Sequence, residues 1–167
     1  PIAIGEVWYR IAWICVLVQK GHEAGADLAW KQTGCGARGG VDAVALAVVT
    51  TLEADEQNIV LSIDSENAFN RLCRDAEFRA VKKRLPELLP LVQWAYGAGT
   101  PLFVVGAAAG TEPIWSLRGT RQGDPGSPLL FGLTIQDLLD NLAVVVPRAP
   151  SLGCLDDLTA VGRAPDV

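Results

Sequence analysis

The sequence of 167 residues contains no methionine, one histidine and only four cysteines. The cysteines, Cys15, Cys35, Cys73 and Cys154, lie far apart and include no C-x-x-C pair. This spacing supports neither a disulfide framework nor a cysteine metal site. Reduced thiols in an intracellular protein are the simplest interpretation. The single histidine, His22, falls in a polar segment to which we assign no role.

Long hydrophobic runs are also missing. The longest apolar stretch, 11–18, is flanked by Arg10 and Lys20 and is far too short to span a bilayer. No basic segment precedes it, as a secretory signal would require. Half of the residues are apolar and a fifth are charged, which is a globular composition. We expect one domain with a real core and no membrane partner.

The pattern of apolar residues predicts an α+β fold in which helices cover one face of a small antiparallel sheet. Apolar positions within 4–20 have helical spacing, and the Ala- and Val-rich segment 39–53 predicts a buried helix. Ser127-Pro128 is a typical helix start, with a capping hydroxyl followed by proline. The full prediction is helices over 4–20, 39–53, 71–84, 86–96 and 127–145, strands over 58–64, 101–105 and 114–117, and a hairpin over 152–161.

Three aspartates follow apolar stretches. Asp64 ends the run 59–63, and the pair Asp156-Asp157 lies at the tip of the predicted hairpin. Adjacent carboxylates repel each other unless a cation neutralises them, and Mg²⁺ prefers such oxygen ligands. A strand-end cap for Asp64 and a solvated turn for the pair are the more common roles of aspartate. Between these acids lies a Gly- and Pro-containing loop, 118–126, that runs into a helix, an order that suggests a nucleotide polymerase.

Three blocks carry a resemblance to a known family. Asp64-Ser-Glu-Asn-Ala-Phe69-Asn70, then the block from Gln122-Gly-Asp-Pro to Phe131, then Leu-Asp156-Asp157 resemble the reverse transcriptases of non-LTR retrotransposons and group II introns. Three blocks in this order are more specific than any one of them. Upstream blocks of that family are similar to Pro1-Ile-Ala-Ile-Gly5 with Tyr9-Arg10, and to Gln32-Thr-Gly34-Cys-Gly36 with Gly39-Gly40.

The resemblance implies an RNA-directed DNA polymerase domain. Residues 1–57 would form partial fingers and connecting helices, and 58–167 the palm, within one continuous domain fragment. Asp64, Asp156 and Asp157 would be the catalytic residues and hold two Mg²⁺ or Mn²⁺ ions for nucleotidyl transfer to a primer 3′-hydroxyl. The implied partners are an RNA template, a DNA primer and deoxynucleoside triphosphates.

The same resemblance suggests substrate-binding residues. Phe69 would close against the sugar 2′ carbon and exclude a ribonucleotide hydroxyl, although an ordinary core phenylalanine fits the sequence too. Gln122 and Gly123 would lie along the incoming nucleotide and template, where glycine permits close backbone approach. A plain loop before a capped helix is the alternative. Nucleic-acid contacts through phosphates, or else a solvated surface, are expected for Arg71, Arg74, Arg118 and Arg121.

Three positions depart from the family pattern. Cys154 stands where tyrosine or phenylalanine is usual, and Gly126 follows Pro125 where leucine is usual. Glu66 replaces a common basic residue and adds negative charge beside the proposed metal ions.

The composition fits a piece of a longer polyprotein. The chain lacks methionine, begins at Pro1 within a motif, and has a formal charge of −5, whereas nucleic-acid-binding proteins are usually basic. We therefore expect an internal fragment, inactive alone because the thumb and much of the fingers are missing. The expected location is intracellular, in the nucleus at the integration site.

Two alternatives remain open. The chain could be an inactive, decayed copy of a retroelement. It could instead be a dinucleotide-binding oxidoreductase, because Gly34-Cys-Gly36-Ala-Arg-Gly39 fits G-x-G-x-x-G and Asp55 lies at a suitable distance. That motif needs a buried strand before its first glycine, and the segment 25–33 is too polar for one.

Overall fold

The computed structural model describes residues 2–28 and 31–166, so Pro1 of the first upstream block lies outside the described residues. The helices are α1 (Val7–Leu28), α2 (Gly40–Ala54), α3 (Ala68–Arg71), α4 (Arg74–Arg84), α5 (Leu89–Tyr96) and α6 (Ser127–Val145), with 3-10 turns at Pro86–Leu88 and Ala164–Asp166. The strands are β1 (Asn58–Ile63), β2 (Thr100–Leu102), β3 (Ile114–Ser116), β4 (Ser151–Cys154) and β5 (Asp157–Arg163).

Two small antiparallel sheets confirm the predicted α+β class. The larger has the strand order β1-β5-β4, and its register places Ile63 opposite Leu158. Strands β4 and β5 form the predicted hairpin, in which Cys154 lies opposite Asp157 across a two-residue turn. The smaller sheet pairs β2 with β3. The sheet therefore brings the end of β1 beside the tip of the hairpin, although the two are about ninety positions apart in sequence.

The core lies among α1, α4, α5 and α6, which are held together by buried apolar side chains such as Trp13, Val81, Val92 and Leu130. Helix α6 packs against α4 and also contacts α1 and β4. By length and composition it is apolar enough to cross a membrane, but about 39% of that stretch is buried in the protein. Its bounds match the prediction, because Pro128 lies in the first turn, where proline is favoured. The predicted cap by the Ser127 hydroxyl is not formed: Gly126 is the N-cap residue, and the Ser127 hydroxyl donates instead to the Arg121 carbonyl.

Helix α1 differs from the predicted helix over 4–20 in its bounds, and its buried face is not the regularly spaced apolar one. Helix α1 begins at Val7 and continues past residue 20, the predicted end, to Leu28. Its regularly spaced apolar residues face outward, and Val7 and Val18 are 66% and 80% exposed. The buried residues are instead Trp13, Ala24, Gly25 and Leu28. Helical spacing identifies an apolar stripe, but contacts elsewhere in the chain decide which stripe is packed.

Helix α2 was predicted to be buried, and this prediction is wrong. Gly40 is its only fully buried residue, whereas Val41 and Leu46 are 66% and 64% exposed. The helix contacts the three-stranded sheet along one side, where Val44 and Val48 are half-buried. Its other side is apolar but has no neighbour within the described residues.

Strand directions do not fit the dinucleotide-binding alternative. All strand pairings in 2–28 and 31–166 are antiparallel, apart from one isolated parallel bridge between Gln32 and Gly153. Within the same residues, Gly34 follows that bridge and a turn rather than a central strand. A phosphate-binding turn between a parallel strand and a helix is therefore not formed at this glycine motif.

Candidate functional site

The three predicted acids lie at one end of the larger sheet. Asp64 directly follows Ile63, and Asp157 directly precedes Leu158, the residue opposite Ile63. Backbones of paired antiparallel strands are about 5 Å apart, so these two positions are neighbours across the strands. Asp156 occupies the turn between β4 and β5 and is half-buried, whereas Asp64 and Asp157 are exposed.

None of these three carboxylates forms a hydrogen bond or ion pair with another residue in the described part of the chain. The described part of the chain contains no group of three or more His, Cys, Asp or Glu side chains arranged to hold a metal. The acids offer the hard oxygen ligands that Mg²⁺ prefers, so their chemistry fits this ion. Asp64, Asp156 and Asp157 therefore stay predicted metal ligands.

An open pocket of about 430 Å³ adjoins this end of the sheet. It is formed by three segments that are far apart in sequence: α3, the loop leading into α6, and the β4–β5 turn. Four of the predicted site residues meet here, whereas Asp64 and Asp157 do not line the pocket. The lining residues are Phe69, Gln122, Gly123, Asp124, Ser127, Pro128, Leu155 and Asp156.

Both the side chain and the backbone of Phe69 are held in place by contacts. Its ring stacks on Phe131 with centroids 4.6 Å apart, and its carbonyl accepts a hydrogen bond of 2.8 Å from the Thr120 amide. Gly119 packs so closely that an added Cβ would lie 2.1 Å from the Phe69 oxygen. Phe69 is thus both a packed residue and one wall of the pocket, and its predicted contact with a sugar stays a prediction.

The loop at Gln122-Gly123 is joined to the N-terminal segment. The Ala3 amide donates a hydrogen bond of 2.8 Å to the Gln122 carbonyl. Gly123 has a φ of 100°, and an added Cβ would lie 2.7 Å from the Ala3 oxygen. Only glycine fits this conformation and this approach. Residues of the first upstream block therefore pack directly on the predicted substrate loop, and the Gln122 side chain stays exposed beside the pocket.

A buried polar network beneath the loop was not predicted from sequence. Asp124 is 4% exposed, and its Oδ2 accepts hydrogen bonds from the hydroxyls of Tyr9 and Tyr96 and from the Arg121 guanidinium. Its Oδ1 accepts a hydrogen bond of 3.0 Å from the Gly126 amide. Asp124 belongs to a recognised motif, but its partner Tyr9 is 115 positions away. The motif was the only available signal.

The two tyrosines of this network stay protonated at neutral pH. Burial and the hydrogen bond to Asp124 raise the pKa of Tyr9 to about 12. Burial and the Asp124 charge raise the pKa of Tyr96 even further. Both hydroxyls therefore remain donors to Asp124, and the network fixes the loop without any ligand.

Two of the predicted phosphate-binding arginines are engaged inside the protein. Arg121 lies between the rings of Tyr9 and Tyr96, 5.2 and 4.5 Å from their centroids, and is 8% exposed. Arg74 donates hydrogen bonds to the carbonyls of Tyr96, Ala98, Ser116 and Gly119. Their positions do not support phosphate contact. They indicate that both side chains hold the segments that surround the pocket.

The other two arginines are exposed. Arg71 forms an ion pair of 2.8 Å with Glu66, which is 82% exposed at its side chain. This pair partly offsets the negative charge that Glu66 adds near the sheet end. Arg118 is exposed and has no ion pair within the described ranges, so its predicted phosphate contact stays a prediction.

The Gly126 departure has a packing cause. A Cβ added at Gly126 would lie 2.6 Å from the ring of Trp13, which is fully buried. The indole occupies the space that a leucine at position 126 would need.

Another acid, Glu77 on α4, is buried, and neither of its carboxylate oxygens has a hydrogen-bond partner among the described residues. Burial raises its pKa to about 7, and the nearby Arg74 charge opposes this shift. Glu77 is therefore an acid whose charge changes in the neutral range.

Two comparisons with known proteins find no relative of the chain. No protein-family model matches the chain. No curated protein matches it either. The likeness to reverse transcriptases therefore depends on the motifs and on where the structure places them.

Proposed function

We propose that the chain is the palm and part of the fingers of a reverse transcriptase, an RNA-directed DNA polymerase that extends a DNA primer on an RNA template. The observation that carries the proposal is the pocket. Phe69, Gln122, Gly123 and Asp156 come from three separate motif blocks and line one cavity. A chance likeness of short motifs gives no reason for their residues to meet.

The residues have distinct roles in this proposal. Asp64, Asp156 and Asp157 would hold two Mg²⁺ or Mn²⁺ ions, which supply charge neutralisation and activate the primer hydroxyl. Phe69 would form the wall beneath the deoxynucleotide sugar, where its bulk opposes a 2′-hydroxyl. Gln122 would hydrogen-bond the substrate from the exposed side of the loop.

The buried network would give the pocket its shape before the substrate arrives. Asp124, Tyr9, Tyr96 and Arg121 satisfy one another, so the loop that presents Gln122 and Gly123 does not need a ligand to order it. Pre-organised polar groups avoid a reorganisation cost during reaction. Proximity of the acids and the loop then supplies orientation.

The surface of the chain fits a part of a larger polyprotein. Large apolar side chains are exposed on α1, α2 and β1, including Trp8 at 80% and Leu46 at 64%. Apolar surface of this extent usually contacts another structure. The remaining polymerase elements would cover it, and the complete protein would act in the nucleus at the integration site. The chain by itself would not extend a primer.

The alternative of an inactive retroelement copy shares this fold and pocket. It differs from an active polymerase in whether Asp64, Asp156 and Asp157 bind metal ions. Metal binding by the acids is the property that separates the two.

The first experiment measures Mn²⁺ binding to the 167-residue chain by electron paramagnetic resonance. We expect weak binding that is lost in the double variant Asp64→Asn with Asp156→Asn. The double variant Glu56→Gln with Glu112→Gln is the matched control, because it removes the same charge from exposed acids elsewhere. Equal binding by all three proteins would contradict a metal site at the sheet end.

A second experiment tests the pocket by competition between dATP and ATP in the presence of Mn²⁺. The wild-type chain should prefer dATP, and Phe69→Ala should reduce that preference because the side-chain wall is removed. Phe78→Ala, a half-buried phenylalanine on α4 that does not line the pocket, serves as the control. An unchanged preference in Phe69→Ala would leave Phe69 with a packing role alone.

A further inference from the structure

The turn that carries Asp156 contains a residue in an unusual conformation. Leu155 has a φ of 58°, in the left-handed region that non-glycine residues seldom adopt. Such a conformation is sterically strained for an L-residue other than glycine. It persists only where surrounding contacts hold it. The contacts that hold Leu155 therefore also determine where the next residue, Asp156, is directed.

The side-chain amide of Gln32 contacts both backbone polar groups of Leu155. Its Oε1 accepts a hydrogen bond of 2.6 Å from the Leu155 amide, and its Nε2 donates one of 3.2 Å to the Leu155 carbonyl. The Gly34 amide donates to the same Oε1 at 3.2 Å. Gln32 is fully buried, so water does not compete for these bonds.

The residues next to Gln32 are hydrogen-bonded to the β4–β5 hairpin. Thr33 donates to the Gly153 carbonyl through its amide at 2.6 Å and through its hydroxyl at 3.0 Å. The Gly153 amide donates to the Lys31 carbonyl at 2.6 Å. An added Cβ at Gly34 would lie 2.7 Å from the Leu155 nitrogen, so only glycine permits this approach.

We infer that Gln32 is a positioning residue that fixes the left-handed turn at Leu155 and thereby aims Asp156 into the pocket. This inference rests on the proposed function, in which Asp156 is a metal ligand. Gln32 does not touch the pocket itself. It acts through Leu155, as a residue that orients a metal ligand by holding its backbone.

The test compares Gln32→Met with Gln136→Met. Methionine keeps the length of glutamine but has no amide to donate or accept in this way. Gln136 is the matched control because it is 4% exposed and lies on α6, where it donates to Asp140. Two quantities are measured on each protein: Mn²⁺ affinity by electron paramagnetic resonance, and hydrogen exchange of the Leu155 amide by NMR.

We expect Gln32→Met to weaken Mn²⁺ binding about tenfold. It should also speed exchange at Leu155, and Gln136→Met should do neither. Wild-type affinity in Gln32→Met would overturn the inference while leaving the proposed function intact. If the wild-type chain binds no Mn²⁺, the proposed function fails, and the role of Gln32 is then decided by hydrogen exchange alone. Faster exchange of the Leu155 amide in Gln32→Met would show that Gln32 holds the turn. Unchanged exchange would overturn the inference.

A second variant covers the case in which Gln32→Met does not fold. Gly34→Ala leaves the Gln32 amide in place but pushes against the Leu155 backbone from outside the pocket. It should weaken Mn²⁺ binding by a similar factor, whereas Gly21→Ala, at a position with open space, should not. Unaltered binding in Gly34→Ala would overturn the inference.

Discussion

The loop that carries Asp124 and the end of the larger sheet that carries Asp64 and Asp157 differ in whether their carboxylates have partners. Asp124 is almost fully buried and accepts hydrogen bonds from two tyrosines, an arginine and a backbone amide. Asp64 and Asp157 are exposed, and neither has a partner in the described part of the chain. The carboxylate of the loop is therefore paired within the protein, whereas the carboxylates at the end of the sheet are unpaired within the described residues.

This difference separates the residues that build the site from those that act in it. Burying a charged carboxylate is costly unless it is paired, and the partners of Asp124 lie inside the protein, so this side chain is committed to structure. An exposed carboxylate keeps its hydration and can exchange water for a cation or a substrate. If the proposed function is correct, the acids without partners are the functional ones.

The largest difference in stability between the two regions is expected for a substitution at Asp124. Replacing it with alanine should lower the free energy of unfolding by about 3–5 kcal/mol, because Arg121 would stay buried without its counter-charge. Asp157→Ala should change it by less than about 0.5 kcal/mol. Urea denaturation of both variants measures the contrast. Similar effects at the two positions would show that the network does not stabilise the fold.

Glu77 sharpens the comparison, because it is buried like Asp124 but has no hydrogen-bond partner in the part of the chain that the structure describes. Burial raises its pKa from 4.5 to about 7. At pH 4.5 and below the buried side chain is neutral and stability is retained, whereas stability is lost as the pH rises through 7. The two pKa values correspond to a loss of about 3 kcal/mol.

Glu77→Gln should therefore match the wild type near pH 4.5 and exceed it by up to about 3 kcal/mol at pH 8. Urea denaturation at several pH values measures this difference. Using the difference between the two proteins removes the contribution of other titrating groups. A gap that does not change with pH would contradict the raised pKa.

The contact between Gly126 and Trp13 tests whether the loop is fixed by packing as well as by charge. Gly126→Ala should destabilise the protein by about 1–3 kcal/mol, because its Cβ would overlap the buried indole. Trp13→Leu should reduce that penalty in the double variant by making room. Thermal unfolding of the four proteins in a double-mutant cycle measures the coupling. Additive effects would mean that the two residues do not compete for space.

The smallest effect on stability is expected at the acid end. Without metal, Asp64→Asn with Asp156→Asn should change the free energy of unfolding by less than about 0.5 kcal/mol. Added Mn²⁺ should raise the melting temperature of the wild type, because a ligand that binds only the folded state stabilises it. The variant should not respond. An equal rise in both would place the bound ion elsewhere.

The sequence by itself determined the order and most bounds of the elements. Helix α6 begins at Ser127 because proline is favoured in the first turn, and strand β1 ends at Ile63 because the apolar run ends there. The hairpin with its two acids was predictable for the same reason. The motif blocks also indicated four residues that the pocket brings together.

Only the tertiary structure decided which surfaces are packed and which polar groups are paired. Local spacing could not show that α1 buries Trp13 while Val18 faces outward. Tyr9 and Asp124 lie 115 positions apart, and Gln32 and Leu155 lie 123 apart. Such contacts depend on how whole elements dock. A short segment specifies its own conformation, whereas burial and charge pairing depend on the rest of the chain.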